Sequence, residues 1–144
     1  MSKRYYGFAK KKGVKNVTER NEERMDAIER TKDFLCGYQL CLDMLNLRRY
    51  ERKRVKPFDE ECFCEDVLSG DESYWRARMY EVTALLGEMK NGREKLILYY
   101  RYIRGESIER AANLLGVSRR TGYRLHQRGL ASASFLLKKR KLRH

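Results

Sequence analysis

Three features of the sequence predict an all-α protein. Apolar residues recur at steps of three and four over residues 18–54, and the same spacing returns over residues 73–144. No segment shows the sustained alternation of apolar and polar residues that indicates a β-strand. We therefore expect one long N-terminal helix followed by a C-terminal helical bundle.

The charge of the chain is large and unevenly distributed. The formal net charge is +13, and 42% of the residues are apolar, enough for a modest core. Residues 1–20 hold seven basic residues and one acidic, residues 55–72 hold one basic and seven acidic, and residues 116–144 hold nine basic and no acidic residues. A solubilising surface would interleave the two signs. The segregation favours a polyanionic partner, because neutralising phosphates releases condensed counterions.

The chain begins with a basic, aromatic segment. Residues 1–17 mix Lys, Arg and Gly with Tyr5, Tyr6 and Phe8 and show no periodicity. Two interpretations stay open: a disordered tail of the free protein, or an arm that lies on DNA or on a partner. The segment lacks the apolar region of a secretory signal, and no apolar run is long enough to cross a bilayer, so we expect a cytoplasmic protein.

A long amphipathic helix is predicted over residues 18–54. Thr18 is the expected N-cap, and acidic residues follow it near the positive end of the helix dipole. The apolar stripe of this helix consists of Met25, Ile28, Phe34, Leu35, Tyr38, Leu42, Leu45 and Leu47. A stripe of this length needs a partner, which is either the rest of the chain or a second copy in a homodimer.

Residues 55–72 are expected to form an acidic linker, because they contain the only proline and seven acidic residues. A solvated loop is the simpler interpretation, and contact with a basic patch is the alternative. The four cysteines of the chain are Cys36, Cys41, Cys62 and Cys64. The first two would lie about 140° apart around a helix, which does not suit two ligands of one zinc ion. We expect reduced thiols, with no metal and no cofactor.

Residues 73–144 are expected to form four helices that make up a single domain. Ser73 caps the first of them, and Gly105 ends the second. Ser107 caps the third, and the last helix begins at Ser118. The residues of the second helix expected to face the core are Leu96, Ile97, Tyr100 and Ile103.

A helix-turn-helix motif is predicted between Ile108 and Leu125. Two helices that cross at roughly 90–120° need a small residue at the crossing and a tight turn between them. Ala112 supplies the small residue, and Gly116 can adopt the left-handed conformation of the turn. Gly122 departs from the motif, because a branched apolar residue is usual one turn into the second helix. We expect Gly122 to leave a gap in the packing and to cost roughly 1 kcal/mol of helix propensity.

The second helix of the motif points basic and polar side chains outward. In a helix-turn-helix, the N-terminal residues of this helix read the major groove. The residues expected to contact double-stranded DNA are Ser118, Arg119, Arg120, Thr121, Tyr123, Arg124, Gln127, Arg128, Lys138, Lys139 and Arg140. Arg suits guanine and Gln suits adenine, while Ser118, Arg128 and the basic C-terminal end suit phosphates. His126 is expected to face DNA or solvent.

Residues 92–137 resemble region four of bacterial sigma factors, the part that reads the promoter −35 element. The segment Tyr102-Ile103-Arg104-Gly105 corresponds to the Tyr-x-x-Gly-like segment that leads into the helix-turn-helix of that family. The size and layout of the whole chain are similar to phage-encoded transcriptional regulators of the ArpU and RinA type. The resemblance implies an activator of late phage genes that acts at the bacterial nucleoid, with RNA polymerase as a candidate partner. No counterpart of sigma region two is recognisable, so an accessory activator is implied rather than a complete sigma factor.

No catalytic constellation is visible in the sequence. The histidines are His126 and His144, and no phosphate-binding glycine loop, HExxH motif or nucleophile elbow occurs. The acidic cluster of a metal-dependent nuclease has no counterpart outside the predicted linker, so we expect a protein that is not an enzyme. Two other functions stay open: a small terminase subunit that recognises a packaging site, and an adaptor that binds RNA polymerase with little DNA specificity.

Overall fold

Helices account for nearly all of the chain that the computed structural model describes, which is residues 16–55 and 70–143. Within these ranges there are five α-helices, one π-helical turn and no β-strand, so the predicted all-α fold is confirmed. The elements are α1 (Val17–Val55), α2 (Gly70–Glu88), α3 (Gly92–Leu98), the π-helical turn (Tyr99–Ile103), α4 (Ile108–Leu115) and α5 (Arg119–Arg143). Most of the predicted arm and most of the predicted acidic linker lie outside the described residues. No described helix is long and apolar enough to span a membrane.

The N-cap of α1 is Asn16, and the prediction of Thr18 is wrong by two residues. The side-chain oxygen of Asn16 accepts a hydrogen bond from the Glu19 amide at 2.7 Å, and Thr18 lies inside the first turn. Asn and Thr are both favourable caps, so residue type alone does not choose between them. α1 continues without a break to Val55, and the three basic residues of its last turn favour the negative end of the helix dipole.

The apolar stripe of α1 packs within the chain. Leu35 and Leu45 are buried, and Ile28, Phe34 and Tyr38 pack against the core cluster. Along this face α1 contacts α2, α5 and the π-helical turn. Of the two partners considered for the stripe, the rest of the chain is the one that covers it in the structure.

Four positions on α1 differ from the predicted stripe. Thr31 and Cys41 are buried, and the Thr31 hydroxyl donates a hydrogen bond to a backbone carbonyl one turn earlier at 2.8 Å. Met25 and Leu47 are exposed, contrary to the prediction. Met25 lies in the first turns of α1, which are exposed on all sides. Leu47 points to the side of the helix opposite the core, because two residues turn a helix by about 200° from the buried position before it.

Charged side chains join the end of α1 to the start of α2. Glu72 is only 2% exposed and forms a salt bridge with Arg52. Arg48 lies 3.7 Å from the Asp71 carboxylate, and its guanidinium lies 5.4 Å from the centre of the Trp75 ring. A buried carboxylate is tolerated where a cation pairs with it. These contacts join α1 to the first turn of α2, which includes Asp71 and Glu72 from the end of the predicted linker.

Two predictions for α2 and α3 are wrong. α2 begins three residues before Ser73, so Ser73 lies inside the helix and does not cap it. Leu96 is exposed, whereas Leu98 and Tyr102 are buried. Residues 96–100 are all apolar or aromatic, so periodicity does not single out one inward face. The π-helical turn also shifts the pattern, because it widens one turn of the helix.

The π-helical turn connects α1 to the helices that follow. The Gln39 side chain of α1 donates hydrogen bonds to the carbonyl oxygens of Tyr102 at 3.4 Å and Ile103 at 2.5 Å. Gly105 follows in the left-handed conformation, with φ of 73°, and ends the helix as predicted. The side chain of Ser107 then accepts a hydrogen bond from the backbone of α4, which confirms the predicted cap. One polar side chain of the long helix therefore satisfies the carbonyl groups that the helix end leaves open.

α4 and α5 cross where Ala112 meets Gly122. Both residues are buried, and a Cβ atom at Gly122 would lie 2.7 Å from the Cβ atom of Ala112. The predicted gap at Gly122 is therefore wrong, because the two helices approach so closely that a side chain does not fit. Gly116 forms the turn in the left-handed conformation, with φ of 72°, as predicted. Val117 and Leu125 pack against the core.

A second glycine lets α5 approach α3. A Cβ atom at Gly129 would lie 3.1 Å from the Leu98 side chain and 3.2 Å from the Glu94 carbonyl oxygen. Directly after it, Leu130 and Ala133 are fully buried in the core. The middle of α5 is thus fixed against the bundle.

Gly122→Ala should destabilise the fold. Alanine has the higher helix propensity, but its methyl group would overlap with Ala112. We therefore expect the free energy of unfolding to fall by about 1–3 kcal/mol. Urea unfolding followed by circular dichroism measures the change.

Gly37→Ala is the matched control, because it makes the same substitution in α1 where nothing lies within 4 Å of the new Cβ atom. It should raise the free energy of unfolding by about 0.5–1 kcal/mol. Combining Ala112→Gly with Gly122→Ala should recover part of the loss. If Gly122→Ala stabilised the protein as Gly37→Ala does, the close approach of α4 and α5 would be wrong.

Candidate nucleic-acid interface

The candidate interface begins at Ser118, which caps α5 as predicted. The Ser118 side-chain oxygen accepts a hydrogen bond from the Thr121 amide at 3.2 Å. The Ser118 hydroxyl donates to the Thr121 hydroxyl oxygen at 2.9 Å. Thr121 is half-buried. Both side chains therefore fix the start of α5, and its first turn still presents backbone amides of the kind that bind anions.

The centre of the outward face of α5 carries Arg120, Arg124 and Gln127. All three are exposed, as predicted, and helix geometry places them within about 60° of one another around the axis. Arg128 is exposed at one side of this face. α5 contains no acidic residue in its sequence, so no carboxylate of its own opposes these charges. The arrangement presents two guanidinium groups and an amide to one side of the fold.

Arg119 and Tyr123 lie at the opposite side of this face and contact Glu109 of α4. The Tyr123 hydroxyl donates a short hydrogen bond to a carboxylate oxygen of Glu109. The same oxygen lies 3.3 Å from the Arg119 guanidinium, which sits 5.8 Å from the centre of the Tyr123 ring. The hydrogen bond from Tyr123 is the main cause that lowers the pKa of the Glu109 carboxyl, and Arg119 adds to it. The carboxylate is therefore ionised at neutral pH.

Sequence reasoning missed Glu109. It is fourteen residues from Tyr123, and no spacing rule connects two positions on different helices across a turn. The single signal in the sequence is its place in the first turn of α4, where an acid favours the helix dipole. That signal explains why an acid is tolerated there but does not identify the side chains that it contacts.

The predicted C-terminal contacts lie apart from this face. Lys138 follows Ser118 by twenty residues on one continuous helix, which corresponds to roughly 30 Å along the axis. Arg140 turns toward α2, where its guanidinium lies 2.7 Å from the Glu88 carboxylate. The ammonium group of Lys139 lies 5.9 Å from the centre of the Phe135 ring. The structure therefore does not bring these three residues together with the N-terminal half of α5.

His126 is buried, and the prediction that it faces DNA or solvent is wrong. Its ring nitrogen Nε2 lies 2.9 Å from the Tyr102 hydroxyl, and the two rings are stacked with centroids 5.7 Å apart. Burial is the main cause that lowers the pKa of His126 to about 4, with Lys32 and Arg101 adding to it. Burial likewise raises the pKa of Tyr102 to about 12. The pair is a neutral hydrogen bond between α5 and the π-helical turn.

Two of the four cysteines are among the described residues. Cys36 is an exposed free thiol and Cys41 a buried one, both on α1. Burial raises the pKa of the Cys41 thiol, which keeps it protonated. In the described ranges, no group of three His, Cys, Asp or Glu side chains is placed to hold a metal ion. Cys62 and Cys64 lie outside the described residues.

Comparisons of the chain with protein-family models, with curated proteins and with solved structures found no match.

The free energy of unfolding should depend more steeply on pH in the unaltered protein than in the His126→Gln variant. The pKa of His126 is about 4 in the folded state and about 6.5 in an unfolded chain. Between these values the unfolded chain binds the extra proton, so stability is complete above about pH 6.5 and falls as the pH decreases toward 4. In this window, the slope of the free energy of unfolding against pH should be steeper for the unaltered protein by up to about 1.4 kcal/mol per pH unit.

Urea unfolding of both proteins between about pH 4 and pH 7.5 measures this difference. The acidic residues are common to both, so their titration cancels in the comparison. Parallel stability profiles for the two proteins would contradict a buried neutral histidine.

Proposed function

We propose that this chain binds double-stranded DNA and reads a specific site through the N-terminal half of α5. The observation that carries the proposal is the exposed set of Arg120, Arg124 and Gln127 at the start of a helix whose other side is buried against α4. A recognition helix needs this combination of a fixed inner side and free outer side chains at its N-terminal end. The net charge of +13 supports a polyanionic partner.

The side chains divide by the DNA group that each would contact. Arg120 and Arg124 can donate two hydrogen bonds to guanine O6 and N7, and Gln127 can pair with adenine. Arg128, at the side of the face, suits a phosphate. The amides at the start of α5 suit a second phosphate, since they lie at the positive end of the helix dipole. Lys138, Lys139 and Arg140 are too distant to share these contacts.

The biological role that we propose is transcriptional regulation without a catalytic step. The resemblance of residues 92–137 to sigma region four supports promoter DNA as the target. The similarity of the layout to ArpU and RinA type regulators supports activation of late phage genes, with RNA polymerase as the partner of the bound protein. DNA binding is the part that the geometry of α5 supports directly.

Selection of duplexes from a random pool tests the DNA-binding part. The full chain should enrich a shared sequence, and Arg124→Ala should weaken binding to that sequence by about 1–3 kcal/mol. The reason is the loss of a bidentate base contact, so discrimination at one base position should also relax. Fluorescence anisotropy with the selected duplex and with single-base variants measures both effects.

Lys139→Ala is the matched control, because it removes one exposed cation from the other end of the same helix. It should leave the ranking of the duplexes unchanged. If Arg124→Ala kept full affinity and full discrimination, the assignment of α5 as the reading helix would fail.

A further inference from the structure

The contact between Glu109, Arg119 and Tyr123 joins the two helices of the motif at the candidate interface. Glu109 is the second residue of α4, and its side chain is about half-exposed. One carboxylate oxygen of Glu109 accepts a hydrogen bond from the Tyr123 hydroxyl and forms an ion pair with the Arg119 guanidinium. The Arg119 guanidinium also lies over the Tyr123 ring. The three side chains hold one another at the side of the face that carries Arg120 and Arg124.

Among the described residues, Glu109 is the one carboxylate that forms an ion pair with the cations of this face. Over residues 16–55 and 70–143, no other carboxylate forms an ion pair with Arg119, Arg120, Arg124 or Arg128. α5 itself has no acidic residue. This exposed ion pair adds little to the stability of the fold, since exposed ion pairs contribute roughly 0–1 kcal/mol. The contact therefore does more to set the position and charge of Arg119 than to stabilise the fold.

A carboxylate at this place changes how the face meets a duplex of any sequence. Non-specific binding depends on the number of phosphates that the protein neutralises. If Arg119 stays on Glu109, its charge is already balanced and it neutralises no phosphate. If Arg119 moves to a phosphate, the negative charge of Glu109 is left unbalanced near the DNA, and it repels the phosphate backbone. In both cases non-specific binding loses the effect of about one charge.

A correct base edge alters this balance. Guanine offers Arg119 two acceptors in a fixed geometry, which a single carboxylate oxygen does not. The released Glu109 can in turn accept a hydrogen bond from cytosine N4. Hydrogen bonds to the correct bases thus compensate for the loss of the contact between Arg119 and Glu109, whereas a random site offers no such compensation.

We infer that Glu109 is a specificity-determining residue: it restrains Arg119 and Tyr123, lowers affinity for random duplexes, and yields them only to the correct bases. This inference rests on the proposed DNA-binding function. It assigns a role in discrimination to an acidic residue on the helix that precedes the reading helix.

Glu109→Gln tests the inference, because glutamine keeps the shape of the side chain and removes its charge. Binding to a random duplex should strengthen roughly fivefold to tenfold near 0.1 M salt, and the slope of log K against log salt should steepen by about 0.9. Affinity for the selected duplex should change less. The ratio of specific to non-specific affinity should therefore fall severalfold.

Glu106→Gln is the matched control, because it makes the same change of charge three residues earlier, where no ion pair with Arg119 exists. It should alter the random-duplex slope by much less than Glu109→Gln does. Equal effects of the two variants, or an unchanged ratio in Glu109→Gln, would overturn the inference while leaving DNA binding intact. Failure of the unaltered chain to bind any duplex would instead overturn the proposed function, and this inference with it.

Discussion

The close approach of α4 and α5 at Ala112 and Gly122 is the constraint on which the rest of the structure depends. A Cβ atom at Gly122 would overlap with the Ala112 methyl group, so the two helix axes can be this close only while position 122 lacks a side chain. The approach fixes the inner side of α5 at its first turn. The outer side, with Arg120 and Arg124, is consequently free and faces away from α4. Gly129 allows a similar close contact between α5 and α3, and this contact sets the direction of α5 over its next turns.

The long helix α1 supports this arrangement from the other side. Its apolar stripe packs into the core together with the later part of α5, and Gln39 satisfies the carbonyl groups at the end of the π-helical turn. His126 adds a buried hydrogen bond to Tyr102 between α5 and that turn. The long helix, for which the sequence leaves dimerisation open, thus packs against α5 and the π-helical turn of its own chain. Polar and apolar contacts together hold α5 against the rest of the described bundle.

Much of the fold follows from local rules, and the errors arise where tertiary contacts decide. Gly105, Gly116, Ser107 and Ser118 lie in the predicted turns and caps, because each of these roles depends on one residue and its neighbours. The sequence predicts that Leu96 and Leu47 face inward, because their surroundings are rich in apolar residues. The actual inner face depends on which helix lies alongside. In α5 alone, Gly122 is unfavourable because glycine has a low helix propensity. Once α4 packs against α5, glycine is required there, because a side chain would overlap with Ala112. Glu109 and His126 belong to contacts between elements distant in sequence, which no local pattern encodes, whereas the exposed basic face of α5 follows from its composition.

Chemical-shift mapping can show whether the N-terminal half of α5 contacts DNA. Titration of the ¹⁵N-labelled chain with a selected duplex should move the amide signals of Ser118–Arg128 and of the adjoining first turn of α4. The signals near Lys138 and Lys139 should move little, because along the helix Lys138 lies roughly 30 Å from Ser118 and roughly 15 Å beyond Arg128. Shifts concentrated at this distant end, with the Ser118–Arg128 signals unmoved, would contradict DNA binding through the N-terminal half of α5.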